Sequence, residues 1–253
     1  MALPHVIDRQ LLTAQRVLCV TPQDAARVLA RRCRGVVDRE LPGSTRHAYL
    51  DDFITKPWGH EIRVYDDVWM DVWQLQINAG YSTSLHAHRR KETCLICIAG
   101  QGAISTGADE HIELTVGSVI HIRAGALHRS WTETGMSLVE VESPRDKFDL
   151  VRIDDSYGRV GLPYENPLAS QPQPCPLVMQ FGGPPRARLR KHSINGNFRF
   201  NLEAAAHARR RPDEVIAAIA VESPHDGGLP VLNSDALTVR ARDELFLTVR
   251  TNT

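Results

Sequence analysis

The protein has 253 residues, of which 42% are hydrophobic, enough apolar side chains for one large domain or two modest ones with buried cores. Thirty basic and thirty acidic side chains cancel, so no net field attracts nucleic acid or an anionic membrane. No apolar run approaches the roughly 20 residues that cross a bilayer, and the sequence predicts no membrane-spanning segment.

Five cysteines make an odd count, and the N-terminal MALPHVIDRQ carries acid, base and proline where an export signal needs an apolar core. We therefore expect a protein of the reducing cytoplasm. Cys94 and Cys97 form a CxxC pair, but residues three apart on a strand face opposite sides. We expect two buried thiols there, not a redox or zinc pair.

Residues 1–49 predict an N-terminal arm of mixed helix and strand. VLCV is typical of a short strand. In TPQDAARVLARRC, Thr21 is a suitable N-cap, Pro22 suits the first helical position, an acid lies in the first turn and arginines lie at the end, which together predict a helix. We expect the arm to cover the main domain or to contribute to a dimer.

Residues 50–160 predict an antiparallel β domain. Short runs rich in β-branched and aromatic residues, among them EIRVY, VWMDVWQLQI, TCLICIA and SVIHIRA, are separated by Gly, Asn and Asp. Many short strands at even spacing, without a helical pattern between them, favour an all-β antiparallel barrel or a double-sheet jelly roll.

The chain after this domain predicts a linker and a repeat. Residues 161–176 contain five prolines, which is typical of an extended linker. Within residues 177–253, HARRRPDEVIAAIAVE aligns with HAHRRKETCLICIAG after one insertion, and ALTVRARDELFLTVR resembles ELTVGSVIHIRA. Arg209 replaces His88 in this second copy and no counterpart of His128 follows, so we expect a degenerate second half without a metal site.

The stretch LHAHRRKE predicts a metal site. His86 and His88 are two apart, so on a strand they project to the same face. Neutral imidazoles are the commonest metal ligands, and a carboxylate can complete the set. Glu92 follows them, and His128 in AGALHRSW supplies a third imidazole. These ligand types suit one divalent ion of Fe, Mn, Ni or Zn without selecting among them.

The spacing of these residues resembles the two motifs of the cupin superfamily. From Gly80 to Glu92 the order is Gly, five residues, His, one, His, three, Glu, which matches the first motif. From Gly117 to His128 the spacing matches the second. The resemblance implies a cupin jelly-roll barrel and, with the repeat, a bicupin whose second half is degenerate.

Three positions depart from the family pattern. Arg123 and Thr132 stand where the second motif has a proline and an asparagine, and a glycine expected seven residues after Glu92 arrives one residue late, at Gly100. None of these departures touches an expected ligand. The metal ligands that the resemblance implies are His86, His88, Glu92 and His128.

Three further stretches are similar to cupin-type phosphomannose isomerases and to related cupins of polysaccharide and sugar-nucleotide biosynthesis. They are TKPWGHE, SLHAHRRKET and VESPRDKFDLVRIDDSYGRVGLPYE, and the resemblance covers roughly residues 50–166. It implies a metal-dependent isomerase or epimerase that acts on a phosphorylated or nucleotide-linked sugar.

An isomerase also needs a base close to the metal, because the metal acidifies a substrate carbon and the base moves its proton. His121 shares a strand with the second motif, and Glu140 alternates with Glu142 onto one face of SLVEVE. We predict His121 and Glu140 as catalytic residues; a solvated strand face is the alternative for the glutamates.

Basic and aromatic side chains near the motifs are the candidates for substrate binding. Cations at the barrel mouth can hold a phosphate through charge-assisted hydrogen bonds, and aromatic rings can stack on a sugar or a base. A solvated turn and core packing are the structural alternatives. The predicted substrate-binding residues are Arg89, Lys91, Tyr81, Trp73 and Trp131.

Two other functions fit the same ligand set. Three histidines and a glutamate around iron also serve dioxygen chemistry in cupins, which gives an Fe(II) oxygenase. A barrel that binds a small metabolite without turnover is the other alternative; neither a helix-turn-helix nor a basic patch is evident, which disfavours a DNA-binding regulator. We also expect a homodimer, since open cupin sheets have edges that a partner can cover.

Overall fold

The computed structural model describes residues 9–12, 14–33, 53–66, 70–144, 146, 149–161, 198–208, 215–220, 230–231 and 245–251. The two helices in these ranges are α1 (Pro22–Cys33) and α2 (Ala205–Ala208). The strands are β1 (Arg9–Leu12), β2 (Arg16–Leu18), β3 (Phe53–Lys56), β4 (Gly59–Asp66), β5 (Asp71–Ile77), β6 (Leu85–Ala87), β7 (Glu92–Thr106), β8 (His111–Thr115), β9 (Val119–Ile122), β10 (His128–Trp131), β11 (Met136–Ser143), β12 (Val151–Asp154), β13 (Phe198–Ala204), β14 (Val215–Ala220), β15 (Pro230–Val231) and β16 (Leu245–Thr251).

The N-terminal strand and helix form where the sequence predicts them. The Asp24 amide donates to Thr21 Oγ1 at 3.1 Å, and the Thr21 amide donates to Asp24 Oδ2 at 2.9 Å, which caps the start of α1 reciprocally. β2 pairs in parallel with β9, and Arg27 Nη1 donates to the Gly107 carbonyl at 3.0 Å. The described part of the arm therefore packs on the barrel. Neither described helix is long and apolar enough to cross a membrane.

Two antiparallel layers form the barrel, and β7 belongs to both. Its first part pairs with β9 and β11, and its second part pairs with β8 and β10. β3, β4 and β5 extend the first layer, while β6 and β12 extend the second. Gly100 lies where β7 passes between the layers; its φ is 69°, and a Cβ there would lie 2.1 Å from the Gly135 carbonyl oxygen. The all-β jelly-roll fold predicted from the sequence is confirmed.

Alternation along the strands separates an inner core from an outer face. The inner cluster includes Trp73, Leu95, Ile120 and Leu138. Its outward neighbours on the same strands form a second buried cluster, which includes Val72, Cys94, Val119 and Val139.

The two cysteines of the CxxC pair fall on opposite sides, as predicted. Cys94 lies in the outer cluster and Cys97 lies in the inner one. Burial raises the pKa of each thiol to about 12, so neither is a thiolate near neutral pH.

A five-stranded antiparallel sheet covers the outer face of the barrel. Its strand order is β1, β13, β16, β14, β15, so the N-terminal strand joins four C-terminal ones. The outer cluster is completed by side chains of this sheet. They are Phe200, Leu202, Leu247 and Val249.

The predicted repeat is described only in part. β14 pairs antiparallel with β16, as β7 does with β9. His207 lies on α2 and not on a strand, with its Nε2 3.9 Å from Glu203 Oε2. Arg209 and residues 162–176 of the predicted linker lie outside the described residues. The complete second cupin half, and with it the bicupin, stays a prediction.

Candidate metal centre

Three histidines from two segments meet inside the barrel. β6 and β10 are antiparallel neighbours, and His128 lies directly opposite His86 in their register. His88 follows the end of β6. The ring centroids are 4.3 Å apart for His86 and His128, 5.0 Å for His86 and His88, and 5.4 Å for His88 and His128. One ligand nitrogen from each ring lies within 4.8 Å of the others.

Backbone carbonyls fix the orientation of all three rings. A carbonyl oxygen only accepts, so each Nδ1 that contacts one donates a proton to it and leaves its Nε2 as a lone-pair ligand. The Nε2 atom of His88 is buried and has no hydrogen-bond partner among the described residues. The Nδ1–O distances are 2.8 Å from His86 to Ser84, 2.7 Å from His88 to Asp149 and 3.1 Å from His128 to Ala126.

The rings are also electrically suited to a metal. Burial lowers the pKa of His86 and His88 well below the ordinary value and lowers that of His128 to about 4. The Lys91 ammonium acts in the same direction on all three. The imidazoles are therefore neutral near pH 7, which a metal ligand requires. Neutral, oriented rings with a buried, unbonded Nε2 fit a divalent cation.

Glu92, the predicted carboxylate ligand, does not join the histidines. Its Oε2 lies 2.9 Å from His121 Nε2, and its Oε1 accepts from Arg123 Nη1 at 2.8 Å. Glu92 has the same parity along β7 as Cys94, whose side chain faces outward. The structure does not bring Glu92 to the three histidines, because its side chain points away from the barrel interior.

His121, one of the two predicted bases, is directed outward for the same reason. It lies opposite Cys94 in the register of β7 and β9 and contacts Glu92. Burial lowers its pKa, against the effect of the Glu92 carboxylate. It is not among the described lining residues, so the structure does not bring this predicted base to the cavity. Glu140, the other predicted base, lines the cavity.

The cavity beside the histidines is small and highly charged. Its volume is about 50 Å³, room for a few water-sized groups. Lys91 Nζ donates to Glu142 Oε1 at 2.5 Å, and Lys56 Nζ lies 3.5 Å from Glu61 Oε1, both pairs being buried. The described lining residues are Lys56, Trp58, Glu61, Leu75, Thr83, Ser84, His86, His88, Lys91, Glu140, Glu142, Leu150, Arg152 and Arg159.

The basic run after His88 forms a structured turn. Asp149, whose side chain is fully buried, accepts three backbone N–H groups of the run at 3.0, 2.7 and 2.9 Å. Arg89 Nε pairs with Asp149 Oδ1 at 3.3 Å, and Arg90 pairs with Asp146. Only Lys91 of this run lines the cavity. Each cation already has an acidic partner, so the structure does not support the predicted phosphate site at Arg89.

The three predicted aromatic residues do not line the cavity. Trp73 is 1% exposed in the inner core. Tyr81 is exposed and stacks on Tyr157 at 6.5 Å between ring centroids, and Trp131 meets the His111 ring edge-on at 6.1 Å. Core packing and surface stacking therefore replace the predicted sugar contacts. The aromatic ring among the described lining residues is that of Trp58.

Sequence reasoning missed Arg152 as part of the site and named Glu142 only beside Glu140 on one strand face. Glu142 lies on the same inward face of β11 as Glu140, and strict alternation already placed the two together. Arg152 is buried because it lies opposite His86 in the register of β12 and β6. That register is a long-range property, so no local signal in the sequence reveals it.

This chain has a two-layer antiparallel barrel, with the HxH pair at the end of one inner strand and a third histidine opposite it on the neighbouring strand. This arrangement defines a cupin fold. No protein-family model and no curated protein matches the sequence.

Matching solved structures include an ectoine synthase from P. lautus, with 21% identity and a TM-score of 0.36 over 38% of this chain and 71% of that chain. KdgF from Halomonas sp. matches with 16% identity and a TM-score of 0.34, over 36% of this chain and 84% of that one. An RmlC-like cupin from Shewanella frigidimarina matches with 16% identity and a TM-score of 0.34, over 43% and 96%. The assignment of the fold rests on the strand topology and the two motifs.

Proposed function

We propose that this protein is a metal-dependent cupin enzyme that moves a proton within a small carbohydrate-type substrate, as an isomerase or epimerase does. The observation that supports this most is the convergence of His86, His88 and His128 beside a cavity that His86, His88 and Glu140 line. The imidazoles are suited to hold a metal, and the carboxylate is suited to take a proton from carbon.

The barrel wall prepares the histidines for this role. A divalent metal bound there would polarise a carbonyl or bind adjacent hydroxyls and so acidify the carbon between them. Each ring keeps its orientation through its Nδ1–H bond to a backbone carbonyl. His88 and His128 are 4% and 2% exposed, so the protein excludes bulk water from one side of the site.

Glu140 is the proposed base. It is 7% exposed on the inward face of β11, between the core and the histidines. A single carboxylate on one side of a substrate can carry a proton between adjacent carbons, as isomerisation requires. Epimerisation also needs a second group that delivers a proton to the opposite face, so an isomerase is the simpler form of the proposal.

The lining favours a polar, hydroxylated substrate. Lysine, arginine and glutamate side chains offer donors and acceptors on several sides, and Trp58 offers an apolar face for a sugar ring. Because Arg89 does not line the cavity, we propose that an anionic group of the substrate contacts Arg152 or Arg159, whose side chains do. A sugar phosphate or nucleotide-linked sugar meets these requirements.

Proton exchange with solvent tests this function without knowledge of the product. The metal-loaded protein is incubated in D₂O with a panel of sugar phosphates and nucleotide sugars, and carbon-bound deuterium is followed by NMR and mass spectrometry, in air and without oxygen. We expect deuterium incorporation that does not depend on oxygen. His88→Ala should abolish it together with metal binding, whereas Glu140→Gln should abolish it and retain the metal.

The same experiment separates the alternatives. Oxygen consumption coupled to substrate loss would replace this proposal by the Fe(II) oxygenase. A sugar that binds without exchange or conversion would replace it by the metabolite-binding module.

A further inference from the structure

We infer that the carboxylate of the metal centre is supplied by Glu142 on β11, across the sheet from the strand that supplies it in the cupin motif. This assignment rests on the proposed function, because it completes the metal site which that function requires. Strand register, a fixed glycine and the position of the carboxylate support it.

Strand register places a threonine where the motif has its acid. Thr93 is the first inward residue of β7 after the HxH segment, and it is fully buried. Glu142 lies directly opposite Thr93 in the register of β7 and β11, whereas Glu92 lies opposite Ser143. Residues directly opposite each other share a face of the sheet, so Glu142 projects inward beside Thr93.

Gly100 gives the same result independently. Its φ of 69° and the 2.1 Å approach of the Gly135 carbonyl oxygen to an ideal Cβ fix a glycine at this position. In the cupin motif the glycine follows the acid by seven residues, and seven residues before Gly100 is Thr93. The glycine that arrives one residue late thus shows that position 93, not position 92, corresponds to the ligand.

The Glu142 carboxylate has the position and the chemistry of a ligand. One of its oxygens lies within 4.8 Å of a ring nitrogen of His88, and the residue is 1% exposed. Its negative charge also acts on His128. Oε1 accepts from Lys91 Nζ at 2.5 Å. A carboxylate has two oxygens, so one can stay with the lysine while the other binds the metal.

Glu140 matches the motif position less well than Glu142 does. It lies opposite Leu95, one inward position further along β7 than Thr93. A Glu140 oxygen also lies within 4.8 Å of a ring nitrogen of His88, so the register with Thr93, and not proximity alone, selects Glu142. The two glutamates of β11 therefore divide the roles, with Glu142 at the metal and Glu140 at the substrate.

Metal titration tests the assignment without any substrate. Mn²⁺, Fe²⁺, Ni²⁺ and Zn²⁺ are each titrated into metal-free protein by calorimetry, and bound metal is counted by elemental analysis. We expect Glu142→Gln to weaken binding at least about 10-fold, and the matched Glu92→Gln to leave it unchanged. The double variant Thr93→Glu with Glu142→Gln should recover affinity, because it returns the acid to the motif position.

Thermal melts of each variant show whether it is folded, and the isosteric Glu142→Gln keeps the test informative if the double variant is not. Wild-type affinity in Glu142→Gln, or loss of metal in Glu92→Gln, would overturn the assignment. If His88→Ala loses the metal but Glu142→Gln does not, the assignment fails while the proposed function stands. If Glu142→Gln loses the metal but no sugar exchanges protons with the wild type, the function fails while the assignment stands.

Discussion

Replacement of Asp149 by alanine should loosen the turn that carries His88. The buried carboxylate accepts three backbone N–H groups, from Arg89, Arg90 and Lys91, at 3.0, 2.7 and 2.9 Å. A hydrogen bond to a charged group contributes about 1.5–3 kcal/mol, and water that enters the vacated space recovers part of the loss. We expect Asp149→Ala to lower the free energy of unfolding by about 3–5 kcal/mol, a large share of the roughly 5–15 kcal/mol of a typical domain.

Urea denaturation followed by circular dichroism measures this change. Asp149→Asn keeps one acceptor oxygen and should lose about half as much. Asp146→Ala is the matched control: Asp146 pairs with the exposed side chain of Arg90, so its loss should cost at most about 1 kcal/mol. Equal stability of Asp149→Ala and Asp146→Ala would refute the role given to the buried carboxylate.

Three further predictions concern stability and reactivity. His128 has a pKa of about 4 in the folded protein and of roughly 6.5 in an unfolded chain. As the pH falls, the unfolded state therefore binds a proton at this residue before the folded state does. The metal-free protein should therefore lose stability between about pH 6.5 and 4, and this slope should flatten in His128→Asn; an identical slope in the variant contradicts it. A Cβ at position 100 would lie 2.1 Å from a backbone oxygen, whereas a Cβ at position 80 meets nothing within 4 Å at a similar φ. Gly80→Ala should therefore cost about 1 kcal/mol, and Gly100→Ala should cost clearly more, both measured by thermal melts. Peptide mapping after native alkylation should find the exposed Cys19 modified and the buried Cys94 intact; modification of both would show that the barrel opens.

Local periodicity was sufficient to predict two of the three imidazoles. His86 and His88 are two apart beside a strand, and a β-strand gives such residues a common face. The cupin spacing then identified His128, and the structure places it directly opposite His86. The same alternation predicted that Cys94 and Cys97 point to opposite sides.

The structure does not bring the predicted carboxylate to the histidines because a turn intervenes. Between His88 and Glu92 the chain follows the Asp149-bound turn, so alternation cannot be counted across it. The sequence did carry one signal, since Gly100 comes one residue late and so indicates position 93 as the motif position of the acid. Only the register of β7 with β11 then connects position 93 to Glu142. The burial of Arg152 and the packing of the C-terminal sheet depend equally on contacts between distant segments, which local patterns do not encode.

Metal content measured on the purified protein and on His88→Ala tests the central claim most directly. We predict about one divalent ion per chain in the wild type, since the three imidazoles share one ligand cluster, and almost none in a variant that is still folded. A folded wild-type protein that takes up no divalent ion at micromolar concentrations, or a His88→Ala variant that retains the full amount, would contradict the claim.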